Sequence, residues 1–142
     1  MKIAIIGEIH PEGWETLEKS NFNAFEVTNT EKDNLIKELE DVDGIIIRSA
    51  PNLTSDILKD CCKIKIIARH GVGYDNVDLE YLNQNNIALG VTGTSNAVSV
   101  AEHVLASFLY LTKNINLSDE LTRKGGFKNK SSLPDFFELY KK

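Results

Sequence analysis

Ile64-Lys65-Ile66-Ile67-Ala68-Arg69-His70-Gly71-Val72-Gly73, followed downstream by Ile87-Ala88-Leu89-Gly90-Val91 and the loop Thr92 to Asn96, decides the fold. The first run opens with an apolar, β-branched segment, Ile64 to Ala68, that has the length and composition of a buried strand. It breaks at His70-Gly71-Val72-Gly73. Two glycines one residue apart let the backbone turn tightly and bring its N–H groups close to something small. The second run is another strand, ending in a polar loop ahead of a long apolar helix. Two strands that end this way imply an open parallel sheet with its ligand at the carboxyl edge.

Outward from there, strands and helices alternate. Lys2 to Ile6 is a strand, and Gly7 opens a loop that offers only Gly13 as a second glycine, whereas the dinucleotide fingerprint needs two more before its helix. Trp14, Leu17 and Phe22 supply the apolar side of a short helix, and Ala24 to Val27 is the next strand. Thr30 is placed to cap a helix over Glu31 to Leu39, with Leu35, Ile36 and Leu39 on one face. Ile45 to Arg48 is the third strand, and Thr54 or Ser55 starts the helix containing Ile57 and Leu58. Asn76-Val77-Asp78 reads as the cap region of a short helix through Leu82. The fold class is therefore α/β, a doubly wound parallel five-stranded sheet.

From Ala97 to about Asn114 the apolar residues change period and occupy most sides of one helix. Some 18 residues would span about 27 Å, and such a helix should be buried against more than its own sheet. The texture then turns polar until Leu133-Pro134-Asp135-Phe136-Phe137-Glu138-Leu139-Tyr140. Residues 1–96 thus read as one domain and 97–142 as a helix and tail.

At 42% hydrophobic and 26% charged, the chain has the composition of a globular protein. A net charge of −5 without a basic cluster argues against nucleic acid and anionic membranes as partners. No run has the length of a membrane span, and the start lacks the layout of a signal peptide, so a cytoplasmic location is expected. Cys61 and Cys62 are neighbours and read as free thiols in a reducing compartment, with no zinc site or disulfide framework.

His70-Gly71-Val72-Gly73-Tyr74-Asp75-Asn76-Val77-Asp78-Leu79 and Asn96-Ala97-Val98-Ser99-Val100-Ala101-Glu102-His103 together resemble the substrate-domain signature of the NAD-dependent D-2-hydroxyacid dehydrogenases. That family includes phosphoglycerate, glycerate, D-lactate and formate dehydrogenases. The resemblance implies a flavodoxin-like substrate domain that ends in a long interdomain and oligomerisation helix. It also implies a small 2-hydroxy or 2-oxo acid as substrate, NAD as cofactor of the full enzyme, and a homodimer through helix 97–114. The catalytic histidine, its glutamate, the carboxylate-binding arginine and the pyrophosphate loop fall beyond residue 142, so this chain should hold half of an active site and be inactive alone.

For that half, the resemblance assigns Val72 and Gly73 as backbone amides facing the substrate carboxylate, and Asn96 as a side-chain donor. An ordinary left-handed turn at the glycines and a helix N-cap at Asn96 are the plainer readings. A positive φ at Gly73 would bar a β-branched residue there. Arg48 and Ser49 match the loop lining the substrate's far end, although Arg48 would serve equally as a salt-bridging strand-end residue. Ala50-Pro51-Asn52 follows where the phosphoglycerate enzymes usually carry a further cation, which argues against a phosphorylated substrate.

His70 reads as a structural hydrogen-bonding residue, His103 as a satisfied buried or interface histidine, and His10 as solvent-facing. Glu102 and His103 are adjacent, point to different helix faces, and cannot form a catalytic dyad. The competing class is a stand-alone flavodoxin-like binding or oligomerisation module. A receiver domain would need acidic residues where Gly7-Glu8 and Ser49-Ala50 stand, and a flavin carrier a hydroxyl-rich first loop.

Overall fold

Five short strands, β1 (Lys2–Ile6), β2 (Asn23–Val27), β3 (Gly44–Ile47), β4 (Ile66–Arg69) and β5 (Ala88–Val91), form one parallel sheet in the order β2-β1-β3-β4-β5. The computed structural model describes residues 1–139, apart from the side chains of Phe127 and Ser132. The helices α1 (Pro11–Lys19), α2 (Lys32–Leu39), α3 (Ser55–Leu58) and α4 (Leu79–Gln84) make the crossovers. This is the flavodoxin-like order, with the chain reversing direction between β1 and β3. Two compact units result, one from Met1 to Thr94 and one beginning at Ser95.

Strand alternation assigns the two faces of the sheet. Ile45, Ile47 and Ile67 are fully buried with Leu35 and Leu39 of α2, Leu58 of α3 and Leu82 of α4. The other face carries the register row Ile5, Ile46, Ala68, Gly90. There α1 is the covering helix of the unit, and Ile46, Ala68 and Gly90 are half-buried beside an exposed Ile66 and Ala88. Right-handed crossovers put α1 alone on this face because β1 to β2 is the one leftward step in the order. One face is sealed and the other is half open.

Local chemistry departs from the sequence reading at the start of α2 and fills it in at two other helix starts. Thr30 does not cap α2: Glu31 occupies the N-cap position, and its N–H is taken by Asn29 Oδ1 at 3.0 Å in an Asx turn. His10 caps α1 through Nδ1, which accepts from Glu12 N at 3.3 Å. Within the expected cap region Asn76-Val77-Asp78, it is Asp78 that caps α4, accepting from Tyr81 N at 3.0 Å. Phe22 lies beyond the end of α1 and is 39% exposed.

In the second unit the expected helix to Asn114 stops two residues earlier. Helix α5 spans Ala97–Thr112, Asn114 turns left-handed at φ 47°, and α6 (Ile115–Arg123) follows. A 3-10 segment, Phe127–Ser132, packs on α6. The tail returns to the end of α5, where Phe137 N donates to Thr112 O at 3.0 Å and Asn114 Nδ2 to Asp135 O at 3.3 Å. It does not cover that helix: no α5 residue is buried, and Val98 and Leu111 are 73% and 69% exposed. Tyr140, expected in the tail's apolar group, lies outside the described residues. Among the described residues no helix is long and apolar enough to cross a membrane.

Candidate functional site

The carboxyl edge of the sheet gathers the loops after β1, β3 and β4. In the register, Ile47 of β3 stands beside Arg69 of β4, so the Arg48-Ser49 and His70 to Gly73 segments leave the sheet side by side. His70 N donates to Ile47 O at 2.8 Å and fastens the two exits together. Further out, a parallel bridge pairs Leu53 with Val77, with Leu53 N donating to Asn76 O at 2.8 Å and Asp78 N to Leu53 O at 3.1 Å. The two loops form one ledge.

On that ledge the turn is made at Gly71, not at Gly73. Gly71 has φ +152°, whereas Gly73 is absent from the positive-φ residues, which removes the conformational argument against a side chain at Gly73. The reason lies at Arg69. A Cβ on Gly71 would stand 2.1 Å from Arg69 Nη1, so the guanidinium lies directly against the glycine. Arg69 donates from Nη1 to His70 O and from Nε to Asn76 Oδ1, the latter at 3.3 Å. Beyond the turn Val72 and Gly73 are exposed, and no acceptor takes their N–H groups among the described residues. The Asp75 carboxylate sits near Gly73, with Oδ2 3.4 Å from the place a Cβ would occupy.

Arg48 is exposed and donates from Nη1 to Glu8 O at 3.3 Å, while its side chain lies over Gly7. The salt-bridge reading of Arg48 does not hold: among the described residues it pairs with a carbonyl, not a carboxylate. Ser49 is exposed beside it. Asn96 belongs to the second unit, at the N-cap position of α5 with φ −114° and ψ 9°. Its side chain makes no capping bond, since the N-cap geometry that lets an Asn reach back needs an extended ψ.

Two residues emerge that the sequence reading did not single out. Arg69 is the second cation of the ledge. Asn76 is the buried polar residue of the first unit, 8% exposed, with Nδ2 donating to Arg48 O at 3.2 Å and Pro51 O at 3.3 Å. Its position between Asp75 and Asp78 hid it, because such a cluster reads as a helix cap, and that role is filled by Asp78 alone.

The histidines fall only in part as expected. His70 is exposed and its imidazole has no hydrogen-bond partner among the described residues, so the structural role assigned to it is not seen. His103 is exposed in this chain, on a shallow cleft with Tyr110 and Leu111. His10 is solvent-facing, as read, besides capping α1.

The larger cleft of the first unit, about 540 Å³, is not the ledge itself. It runs along the half-open sheet face between Leu17 and Ala68, with His10 and Thr16 on the α1 side and Arg69, His70 and Thr92 at the strand ends as its polar lining. Its walls are mostly apolar, whereas the exposed Val72 and Gly73 amides, with the Arg69 guanidinium lying against the neighbouring Gly71, offer donors to a charged acid. The β1 loop does not fit a dinucleotide. Arg48 covers Gly7, Glu8 and Glu12 bring negative charge, and His10 already holds the Glu12 amide at the start of α1. No group of three or more potential metal ligands exists among the described residues.

Comparison with known proteins gives the chain its family. Residues 3–137 match the catalytic domain of the D-isomer specific 2-hydroxyacid dehydrogenases, and the chain belongs to that family. It is 33% identical over 129 residues to D-3-phosphoglycerate dehydrogenase of Sus scrofa, a match covering 91% of this chain and 24% of that protein. The chain therefore spans about a quarter of the length of the curated relatives it matches. Among solved structures, an NAD+-bound 3-phosphoglycerate dehydrogenase of Entamoeba histolytica aligns at TM-score 0.69 and 29% identity, covering 98% of this chain and 43% of that one. A protein of Pyrococcus horikoshii OT3 aligns at TM-score 0.86 and 23% identity over 98% of this chain and 43% of its own, a likeness of fold.

Proposed function

We propose that the chain is the substrate-binding half of an NAD-dependent D-2-hydroxyacid dehydrogenase, and that it has no dehydrogenase activity by itself. The observation that carries the reading is the ledge: two unpartnered amides, Val72 and Gly73, on the loop where the Arg69 guanidinium lies against Gly71, beside the strand end that carries Arg48. A carboxylate seated there receives charge-assisted hydrogen bonds from both amides, with the guanidinium groups offsetting its charge. Asn96 is proposed as a further donor to the substrate. The chain's part in the reaction is to bind and orient the acid so that its hydroxyl-bearing carbon faces the nicotinamide.

Proton transfer and hydride transfer fall to residues and a cofactor that a separate nucleotide-binding domain supplies. The misfit of the β1 loop to a pyrophosphate supports this division. The exposed, largely apolar α5 supports a homodimer built on that helix, since large apolar patches mark contacts. A cytoplasmic location is part of the same proposal, and a composition ordinary for a globular protein suits it.

The test is an NMR titration of the ¹⁵N-labelled chain with oxalate, a planar stand-in for the oxo acid carboxylate, and separately with NAD+. Oxalate is expected to shift the Val72 and Gly73 amides and NAD+ to shift no residue of the β1 loop. Oxidation of NADH with glyoxylate, hydroxypyruvate or 2-oxoglutarate should stay at background. Turnover above background, or an unmoved glycine loop at saturating oxalate, would overturn the proposal.

A further inference from the structure

We infer that Asn76 is a positioning residue for the carboxylate ledge, holding the strand-three loop and the Arg69 guanidinium in one fixed arrangement. The inference rests on the reading of the ledge as a substrate-carboxylate site.

An asparagine amide has two N–H donors and one carbonyl oxygen. Here both donors are spent on the strand-three loop, at Arg48 O and Pro51 O, and the oxygen receives Arg69 Nε. The backbone carbonyl of the same residue accepts from Leu53 N at 2.8 Å. One buried side chain thus ties together the carbonyl of Arg48, the turn after it, and the arginine that lies on Gly71. Arg69 has no carboxylate partner among the described residues; its two bonds go to Asn76 and to the His70 carbonyl. Such a cation keeps its full charge for an incoming anion while its orientation is fixed in advance. Preorganisation of this kind raises affinity by removing the ordering cost from the binding step.

Other residues cannot reproduce the set. Aspartate could receive Arg69 Nε but has no donor for the two carbonyls, and it would neutralise the guanidinium. Alanine loses all three bonds and leaves two carbonyls unsatisfied in a buried place. A residue that only stapled the fold would lower stability on replacement and leave the folded molecule's affinity for carboxylate alone. A positioning residue lowers that affinity in molecules that are fully folded.

The experiment uses the whole 142-residue chain. Oxalate affinity is read from the Val72 and Gly73 amides at a temperature where wild type, Asn76→Asp, Asn76→Ala and the remote core variant Ile57→Val are all folded by their dispersed spectra. Loss of a hydrogen bond involving a charged group corresponds to roughly tenfold in affinity, and that weakening is expected in both Asn76 variants and not in Ile57→Val. In the wild type, the Asn76 side-chain amide and the Arg69 Nε–H signals should shift together along the oxalate titration. This second readout decides the matter even if neither Asn76 variant folds.

Folded Asn76 variants that bind oxalate as the wild type does would overturn the assignment. So would Asn76 and Arg69 side-chain signals that stay still while the loop amides move. Failure of the wild-type loop amides to respond at all would overturn the carboxylate reading beneath it. The two failures are therefore distinguishable.

Discussion

Replacing Gly71 with alanine should be the most damaging small change on the ledge. At φ +152° an L-residue is strained, which costs about 1–3 kcal/mol. The added Cβ would also stand 2.1 Å from Arg69 Nη1 and 2.8 Å from its Cζ. A guanidinium is the far end of a flexible side chain, so it swings aside and the backbone does not break. It then loses its bonds to His70 O and Asn76 Oδ1, worth about 1 kcal/mol together in this partly exposed setting.

The total loss is about 2–4 kcal/mol, read by urea unfolding monitored through circular dichroism. Gly90→Ala is the control: a Cβ there meets nothing within 4 Å, and its change should stay within about 1 kcal/mol. In an Arg69→Ala background the clash disappears, and Gly71→Ala should then cost about 1 kcal/mol less. A Gly71→Ala chain as stable as Gly90→Ala, or one whose cost is unchanged when Arg69 is removed, would refute this account.

Asn96→Ala should alter stability by no more than about 0.5 kcal/mol, because the side chain makes no cap bond; a melting-temperature loss equal to that of Asp78→Ala would contradict the geometry. Acid should destabilise the first unit. The Tyr81 N–H holds Asp78, and the Lys2 N–H holds Asp43, below the usual carboxylate range, while the Lys32 ammonium takes Asp56 down to about 2. Groups with lowered folded pKa give stability that is complete above the ordinary carboxylate range and lost as pH falls through their folded values. Melting temperature should therefore be level from pH 7 to about 5 and fall from there to about 2, and a rise on acidification would be incompatible with this. Cys61 is buried and its thiol is pushed up to about 11 by desolvation, whereas Cys62 is exposed. A thiol reagent at pH 8 should modify one cysteine per native chain and both in denaturant, with peptide mapping placing the native adduct on Cys62.

The sheet was legible because its strands are β-branched runs bounded by turn residues, and each strand boundary fell within two residues of the reading. A strand needs only composition and length to announce itself. The glycine loop was legible as a place but not as a geometry: the sequence offers Gly71 and Gly73 equally, and the choice between them depends on where the Arg69 side chain comes to rest. Asn76 was invisible for a similar reason. Its three partners lie 7, 25 and 28 residues away, and no local pattern records bonds of that kind. Helix α5 was legible as apolar, but its exposure in this chain depends on what covers it, which composition cannot express.

The half-open face behind α1 has a calorimetric consequence. The heat-capacity change of unfolding follows the apolar area newly exposed to water, about 12–15 cal/mol/K per residue for ordinary domains. With Ile66 38% exposed and its register neighbour Ala88 also exposed on a sheet sealed by helices on its other side, this unit has less dry surface to surrender. Its heat-capacity increment falls below that range, and the curve of stability against temperature is correspondingly flat. Cooling should cost such a molecule little, and on heating its smaller unfolding enthalpy should spread the transition over a broad range of temperature.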